Sequence, residues 1–260
     1  AENRVGAGGR IAAEMNARSA PDGYTFGLGT TSMHLVGPHV VKDIRYDWLK
    51  DFTPISLAVH PMSGVIVPTT LKVNSVEEFL AYAKKNPGKL AYASNGIGSS
   101  HHLAGEAIKI AAGIDMLHVP FKGSNEGLNA ILSGQVQVFF SSPGNVRKFV
   151  EAGRLRVLAL LAPKRYSLAP GIPTLAEKLP GYDAVSDWFG FLGPANLPRP
   201  ILVRLNSEIV KALNTPASRT KFDSLAYLVV GNTPEEFSAL MQREYSIYGK
   251  VVATAKIPKR

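Results

Sequence analysis

Short apolar runs alternate with longer segments of mixed polarity along the chain, a pattern that predicts strands followed by helices. In chain order, strands are predicted for residues 24–29, 65–67, the start of 91–113, 116–119, 136–140 and 155–161. Helices are predicted from a Ser75–Glu78 capping box to residue 86, over the rest of 91–113, from Ser124 to Gly134 and over 144–152. This alternation is typical of an α/β protein whose sheets are mostly parallel and covered by helices on both faces.

The pattern changes beyond residue 181. The segment 188–200 contains Gly190, Gly193 and three prolines, which predicts a stiff connector rather than a regular element. Two helices are predicted after it, one near 201–213 and one opened by Thr-Pro-Glu-Glu at 233–236, where proline takes the first helical position. Because this helical tail follows two regions of strands and helices, we expect the chain to return and pack on its first part.

The segment 91–113 is the most informative one, because its strand turns into its helix through a loop rich in glycine and serine. Such a turn leaves backbone amides at the helix start without intrahelical partners, and these amides favour an anion. The loop lacks the Gly-Lys-Ser/Thr of a nucleotide P-loop and the third glycine of a dinucleotide fingerprint. It therefore predicts a small anion such as a carboxylate, with an ordinary turn as the alternative.

Composition and charge exclude several classes of function. The 260 residues have a net charge of +9, but the basic residues are scattered and form no stripe, so no nucleic-acid partner is expected. The chain has no cysteine, which excludes disulfides, thiolate metal sites and cysteine nucleophiles. No apolar run is long enough to span a membrane, and the start shows no signal-peptide pattern, so we expect any targeting segment to have been removed.

The motifs of catalysis and metal binding are missing from the sequence. The six histidines show no spacing that would place two of them on one helix face as metal ligands. No Gly-x-Ser-x-Gly elbow and no acid–base pair stands out. We therefore expect no metal, no cofactor and no enzymatic activity, although an enzyme stays open as an alternative.

Loops rich in glycine, serine or threonine follow several predicted strands, and they form a set with one common property. In open parallel sheets ligands bind at the carboxyl ends of the strands, where such loops lie. Together they indicate two facing lobes that offer amides and hydroxyls to one polar ligand. The loops are 6–9, 29–34, 94–100, 121–124 and 141–144.

A series of motifs resembles the Bug family, the periplasmic solute-binding proteins of tripartite tricarboxylate transporters. In chain order they include ENRVGAGGRIAAE, APDGYTFGLG, AYASNGIGSSHHLAGE, HVPFKGSNEGLNAILSGQVQVFF, PGIPTLAEKLPGY and WFGFLGPANLPRPILVRLN. The resemblance implies the Venus-flytrap fold of type 2 periplasmic binding proteins, with residues 1–68 and 190–260 in one lobe and 69–189 in the other. It also implies a periplasmic monomer that captures a small carboxylate and delivers it to membrane transporter subunits.

The resemblance also implies which residues bind the ligand. In the second lobe they are the residues of the anion loop and two neighbouring loops: Ser94, Asn95, Gly96, Gly98, Ser99, His102, Phe121, Lys122, Gly123, Ser141 and Ser142. The first lobe would supply Thr31, Ser32 and His34, and the crossover between lobes Asp187 and Trp188. Members of the family normally begin with a further strand, loop and helix, so the first lobe is expected to be incomplete here.

The sequence leaves the ligand and two other functions open. Di- and tricarboxylates, acidic amino acids and aromatic acids all fit, because a grip made of backbone amides recognises the carboxylate and not the group that bears it. The other functions are an enzyme that acts on a carboxylated or phosphorylated metabolite in the same cleft, and a module that senses a ligand and signals to a partner.

Overall fold

The computed structural model describes residues 2–4, 9–162, 164–182 and 187–260. Most of the Gly-rich segment 6–9, one of the predicted loops, lies outside these residues. The described strands are β1 Gly27–Thr30, β2 Phe52–Pro61, β3 Gly64–Pro68, β4 Leu90–Ser94, β5 Met116–Pro120, β6 Val138–Ser141, β7 Leu155–Leu160, β8 Phe189–Pro194 and β9 Tyr227–Val229. They form two sheets, sheet A in the order β1-β8-β2-β9 and sheet B in the order β5-β4-β6-β3-β7.

The helices pack around these sheets. The α-helices are α1 Arg10–Ala17, α2 Gly37–Val40, α3 Val76–Lys85, α4 Ser100–Ala112, α5 Ser124–Leu132, α6 Pro143–Glu151, α7 Leu175–Lys178, α8 Arg199–Leu213, α9 Pro216–Ser224 and α10 Pro234–Thr254. A π-helical turn, Ser32–Val36, runs directly into α2, and Thr69–Leu71 form a 3-10 turn. None of the helices in the described part of the chain combines the length and the hydropathy that a bilayer crossing requires.

The prediction that the sheets are mostly parallel is wrong. Only β4 pairs in parallel with its neighbours, β5 and β6, and the other described pairs are antiparallel. The cause is one inserted strand in each sheet. β3 enters sheet B antiparallel between β6 and β7, and β8 enters sheet A antiparallel between β1 and β2. Local alternation of strands and helices does not reveal an insertion made by a distant segment.

The predicted connector 188–200 is also wrong, because its first half is the strand β8. Glycine residues usually weaken a strand, but here their lack of a side chain allows other side chains to pack closely against the strand. A Cβ at Gly190 would lie 2.3 Å from Cζ of Phe237, and one at Gly193 would lie 2.7 Å from Cδ1 of Leu197. The glycines therefore mark close packing on α10 and on the turn after β8.

Helix ends follow the sequence closely. Ser99 Oγ accepts the amide of His102 at the start of α4, and Gly113 ends that helix with φ +61°. The predicted box at Ser75 forms in part: Ser75 Oγ accepts the amide of Glu78, but the Glu78 carboxylate accepts from the amide of Asn74. Complete boxes occur at α10, between Thr233 and Glu236, and at α7, between Thr174 and Glu177.

The long helix α10 packs against β2 of sheet A and against α4, which belongs with sheet B. Its buried residues are Phe237, Met241, Glu244, Tyr248, Val251 and Val252, and the first four are spaced as one face of a helix requires. Since all of them except Glu244 are apolar or aromatic, their burial stabilises the junction of the two sheets by the hydrophobic effect.

The chain passes between the sheets twice. It leaves sheet A at Pro61 and enters sheet B at Gly64, and it returns to sheet A at Phe189. The division into two lobes, with residues 1–68 and 190–260 in the first and 69–189 in the second, stays a prediction. We propose that each lobe is built on one sheet, which would put β3 in the second lobe and move the first boundary to residues 62–63.

Candidate functional site

The carboxyl ends of the parallel strands β4, β5 and β6 share one edge of sheet B, and the loops after β4 and β5 touch there. The amide of Phe121 donates to the carbonyl oxygen of Ser94 over 3.0 Å. Ser124 Oγ donates to Asn95 Oδ1 over 3.2 Å. This is the edge at which ligands bind to parallel sheets, and the predicted anion loop lies on it.

The anion loop, residues 94–99, needs both of its glycines. Gly96 and Gly98 have φ of +107° and +78°, conformations that residues with a side chain rarely adopt. Ser94 Oγ stabilises the turn by accepting the amide of Gly96 over 3.1 Å. A Cβ at Gly98 would lie only 2.5 Å from Cγ2 of Val40, so this glycine also permits close packing of the loop on α2.

Several amides of the anion loop and of the start of α4 are already hydrogen-bonded within the protein. The amide of Gly98 donates to His102 Nδ1 over 3.1 Å, and that of Ser99 to the Gly96 carbonyl oxygen over 3.2 Å. The amide of Ser100 donates to Ser32 Oγ over 3.2 Å, a bond that joins α4 to the π-helical turn. A ligand carboxylate that uses these amides must therefore replace an internal acceptor, and Ser32 is the acceptor that comes from the opposite side.

Thr31, Ser32, Asp187 and Trp188, predicted from the first lobe and the crossover, meet the start of α4. The Asp187 carboxylate lies close enough to the hydroxyls of Ser100 and Thr31 for them to lower its pKa. It accepts the amide of Trp188 over 3.1 Å, and that amide lies 3.0 Å from Thr31 Oγ1. Burial raises the pKa of Asp187 to about 6, against the opposing effect of these donors.

Trp188 lies beneath this cluster rather than on its surface. The side chain is fully buried, with its ring edge-on to Phe237 at 5.0 Å between centroids. Its Nε1 donates to Glu244 Oε2 over 3.0 Å. Sequence analysis missed Glu244, and it placed Ser100 in the loop 94–100 without naming it as a ligand-binding residue. Glu244 could have been found as the acidic residue on the otherwise apolar face of α10.

His34 lies in an aromatic core. Its ring is edge-on to Phe52 at 4.8 Å and tilted against Tyr46 at 6.0 Å. Nδ1 lies 3.3 Å from the Thr30 carbonyl oxygen, and Nε2 has no hydrogen-bond partner. Burial lowers the pKa of His34 to about 4, so the ring is neutral at pH 7. This placement makes it a support for the cluster rather than a residue at its surface.

A layer of polar and aromatic side chains lies behind the anion loop. The ring of His118 stacks on His102 at 3.9 Å and on Tyr92 at 5.0 Å, and its Nε2 lies 2.6 Å from Ser94 Oγ. Burial, then the nearby charges of His102 and Lys109, lower the pKa of His118 to about 3. The histidines are therefore neutral at pH 7, as the acceptor role of His102 Nδ1 requires.

The remaining predicted residues lie further along the same edge. Lys122 is exposed, and its amide donates to Glu126 Oε2 over 3.1 Å; Gly123 is the cap of α5. Ser142 Oγ donates to the Leu225 carbonyl oxygen, and Ser141 Oγ accepts from Asn145 Nδ2 over 3.3 Å. The structure does not bring this group into contact with Asp187.

A cavity of about 110 Å³ lies beside Asp187, where β2 and β7 end. Its wall is mostly apolar, with Met62, Leu161 and Leu228, and His60, Lys164 and Arg165 line it as basic residues. Two larger cavities, of about 310 and 410 Å³, are lined by none of the predicted site residues. Of these three cavities, the small one is the one that adjoins the cluster.

The chain forms two sheets and passes between them twice, and hydrogen-bonding groups from both sides meet at one edge. This architecture is that of a solute-binding protein with the type 2 periplasmic-binding-protein fold. An R. palustris protein solved with adipate has this fold, with a TM-score of 0.86 and 31% identity over 100% of this chain and 87% of that one. MatC from Rhodopseudomonas palustris with bound malate gives a TM-score of 0.81 and 29% identity, over 96% and 86%. The predicted fold class is confirmed.

The family is shown by sequence. Residues 1–255 match the tripartite tricarboxylate transporter family receptor, and the chain belongs to that family. Protein BugT of Bordetella pertussis is 32% identical over 254 residues, which are 96% of this chain and 77% of BugT. The predicted relationship to the Bug proteins is therefore confirmed, and the family is one of receptors rather than enzymes.

Proposed function

We propose that this protein is a non-enzymatic periplasmic receptor that captures a small carboxylate between two lobes and delivers it to the membrane subunits of a tripartite tricarboxylate transporter. One observation supports this most: the start of α4 on sheet B meets Thr31, Ser32 and Asp187 beside sheet A. Donors from both sheets converge at one point, which is what a receptor that closes on its ligand needs. The adipate and malate in the related structures are carboxylates of the expected size class.

In this proposal the ligand carboxylate binds at the start of α4. It would accept from the Ser100 amide in place of Ser32 Oγ, while the Ser32 and Thr31 hydroxyls turn to donate to it. The dipole of a 13-residue helix favours negative charge at that position. The other predicted residues of sheet B, from Asn95 and Phe121 to Lys122 and the 141–142 pair, would form the rim of the cleft.

Closure would follow from the same contacts. The two sides are joined by the bond from the Ser100 amide to Ser32 Oγ. A carboxylate inserted between them would add charge-assisted bonds to both sides, so it would favour the closed state over the open one.

A thermal-shift panel of malate, adipate, citrate, benzoate and L-glutamate tests the proposal. A ligand at 100 times its Kd stabilises the folded state by about 2.7 kcal/mol. For a chain of this size that amount raises Tm by about 5–10 °C. The proposal is wrong if none of the five acids raises Tm.

A pair of serine variants tests the placement of the ligand. Ser32→Ala should weaken binding of the acid that gives the largest shift by about tenfold or more, since a hydrogen bond to a charged group contributes about 1.5–3 kcal/mol. Ser133→Ala, at an exposed position on the far side of α5, should leave binding unchanged. Equal affinities of the two variants would place the carboxylate elsewhere.

A further inference from the structure

The carboxylate of Asp187 is unusual for its position. It stands in the cleft proposed for a carboxylate, and the groups that stabilise its charge are neutral: the Trp188 amide at 3.1 Å and the nearby hydroxyls of Ser100 and Thr31. Among the described residues no ion pair involves Asp187, while Glu106, the acid behind the anion loop, is paired with Lys109 at 3.0 Å. A half-buried carboxylate without a cation is destabilised by desolvation, and a bound cation would relieve this cost.

A second carboxylate beside Asp187 would add electrostatic repulsion unless a positively charged group lay between the two carboxylates. Two carboxylates that share a site cannot both ionise freely. An α-amino acid solves this problem by its covalent structure, because its carboxylate and its ammonium group are attached to the same carbon. Its carboxylate can accept from the start of α4 while its ammonium donates to Asp187.

We propose that Asp187 is the specificity-determining residue of the cleft and that the ligand class is α-amino acids rather than simple dicarboxylic acids. The proposal rests on the proposed receptor function and narrows its ligand. An ammonium group supplies three donors, and the Asp187 carboxylate has acceptor capacity beyond its bond from the Trp188 amide.

The cavity beside Asp187 has room for a short side chain. Its volume is about 110 Å³, its wall is largely apolar, and Lys164 lines it as a cation without an ion-pair partner among the described residues. A side-chain carboxylate of aspartate or glutamate would find a counter-charge there. The pKa of Asp187 is raised to about 6, the direction expected of a buried carboxylate that has no cation beside it.

Titration calorimetry with two matched ligand pairs tests the proposal: L-aspartate against succinate, and L-glutamate against glutarate. Within each pair the only change is the α-ammonium group. The wild-type protein should bind at least one amino acid about tenfold or more tighter than its deaminated partner. Tighter or equal binding of both diacids would overturn the proposal while leaving the receptor function intact.

The variant Asp187→Asn removes the charge and keeps an oxygen acceptor for the Ser100 and Thr31 hydroxyls. It should remove the preference for the amino acid by weakening that ligand and not the diacid. Asp115→Asn makes the same charge change at an exposed position outside the cluster and should leave the preference as it is. An unchanged preference in a folded Asp187→Asn protein would overturn the proposal. If none of the four ligands, malate or adipate binds the wild type, the receptor function fails as well.

Discussion

Replacement of Gly98 by alanine tests how the anion loop is held against the opposite side of the cleft. The backbone of Gly98 has φ +78°, and a left-handed conformation costs a residue with a Cβ about 1–2 kcal/mol. The new Cβ would also lie 2.5 Å from Cγ2 of Val40, a buried residue, and overpacking of this kind costs about 1–3 kcal/mol. The expected loss in free energy of unfolding is therefore about 2–5 kcal/mol.

Gly113→Ala is the matched control. Gly113 has φ +61° at the end of α4, but a Cβ there would meet no heavy atom within 4 Å. It should show the conformational cost alone, so urea denaturation should place Gly98→Ala about 1–3 kcal/mol below Gly113→Ala.

A double-mutant cycle with Val40→Ala isolates the steric part. Shortening Val40 removes the Cγ2 atom that the new Cβ would meet, so the two substitutions together should cost about 1–3 kcal/mol less than the sum of their separate effects. The reasoning is refuted if the two glycine variants are equally stable or if the cycle shows no coupling.

Three further predictions concern the interior of the site. Trp188→Phe removes the Nε1 donor to the buried Glu244 carboxylate, so urea denaturation should show a loss of about 1.5–3 kcal/mol; a loss below 0.5 kcal/mol, roughly the effect of a neutral surface change, would contradict it. His102→Leu removes the acceptor for the anion-loop amide and should cost about 1–3 kcal/mol, whereas His102→Asn, whose Oδ1 can stand in for Nδ1, should retain most of the stability; equal losses would contradict that role. Burial lowers the pKa of His101 from 6.5 to about 4, so as pH falls the unfolded chain binds this proton before the folded protein does. The contribution of neutral His101 to the free energy of unfolding is therefore lost between pH 6.5 and 4. His101→Leu should reduce the slope of stability against pH in this range by up to about 1.4 kcal/mol per pH unit, and an unchanged slope would contradict this role of His101.

The strands and helices of sheet B could be predicted because their signals are local. Alternating apolar runs predict β4, β5, β6 and β7, while Ser99 and Gly113 mark the ends of the helix between the first two. The strand β8 could not be predicted in the same way. Its Gly190 is tolerated because Phe237, more than 40 residues later, occupies the space that a side chain would need.

The candidate site could be predicted to the level of loops but not of individual hydrogen bonds. Thr31, Ser32, Asp187 and Trp188 lie together near the start of α4, and their role in binding a ligand stays a prediction. That the loop amides already have acceptors depends on the positions of side chains from other segments, chiefly Ser32 from across the cleft. Motif spacing within the loop contains no information about such a partner.

The inserted strand β8 also determines the order in which the chain can fold. Sheet B is formed by one continuous stretch, so it can assemble as soon as residue 160 has been synthesised and released. In sheet A, Gly27 pairs with Leu192, and β1 and β2 have no direct contact in the strand order without β8 between them. Since such distant pairings form slowly, we expect sheet A to remain unformed until β8 arrives, and the receptor to acquire its cleft only at the end of folding.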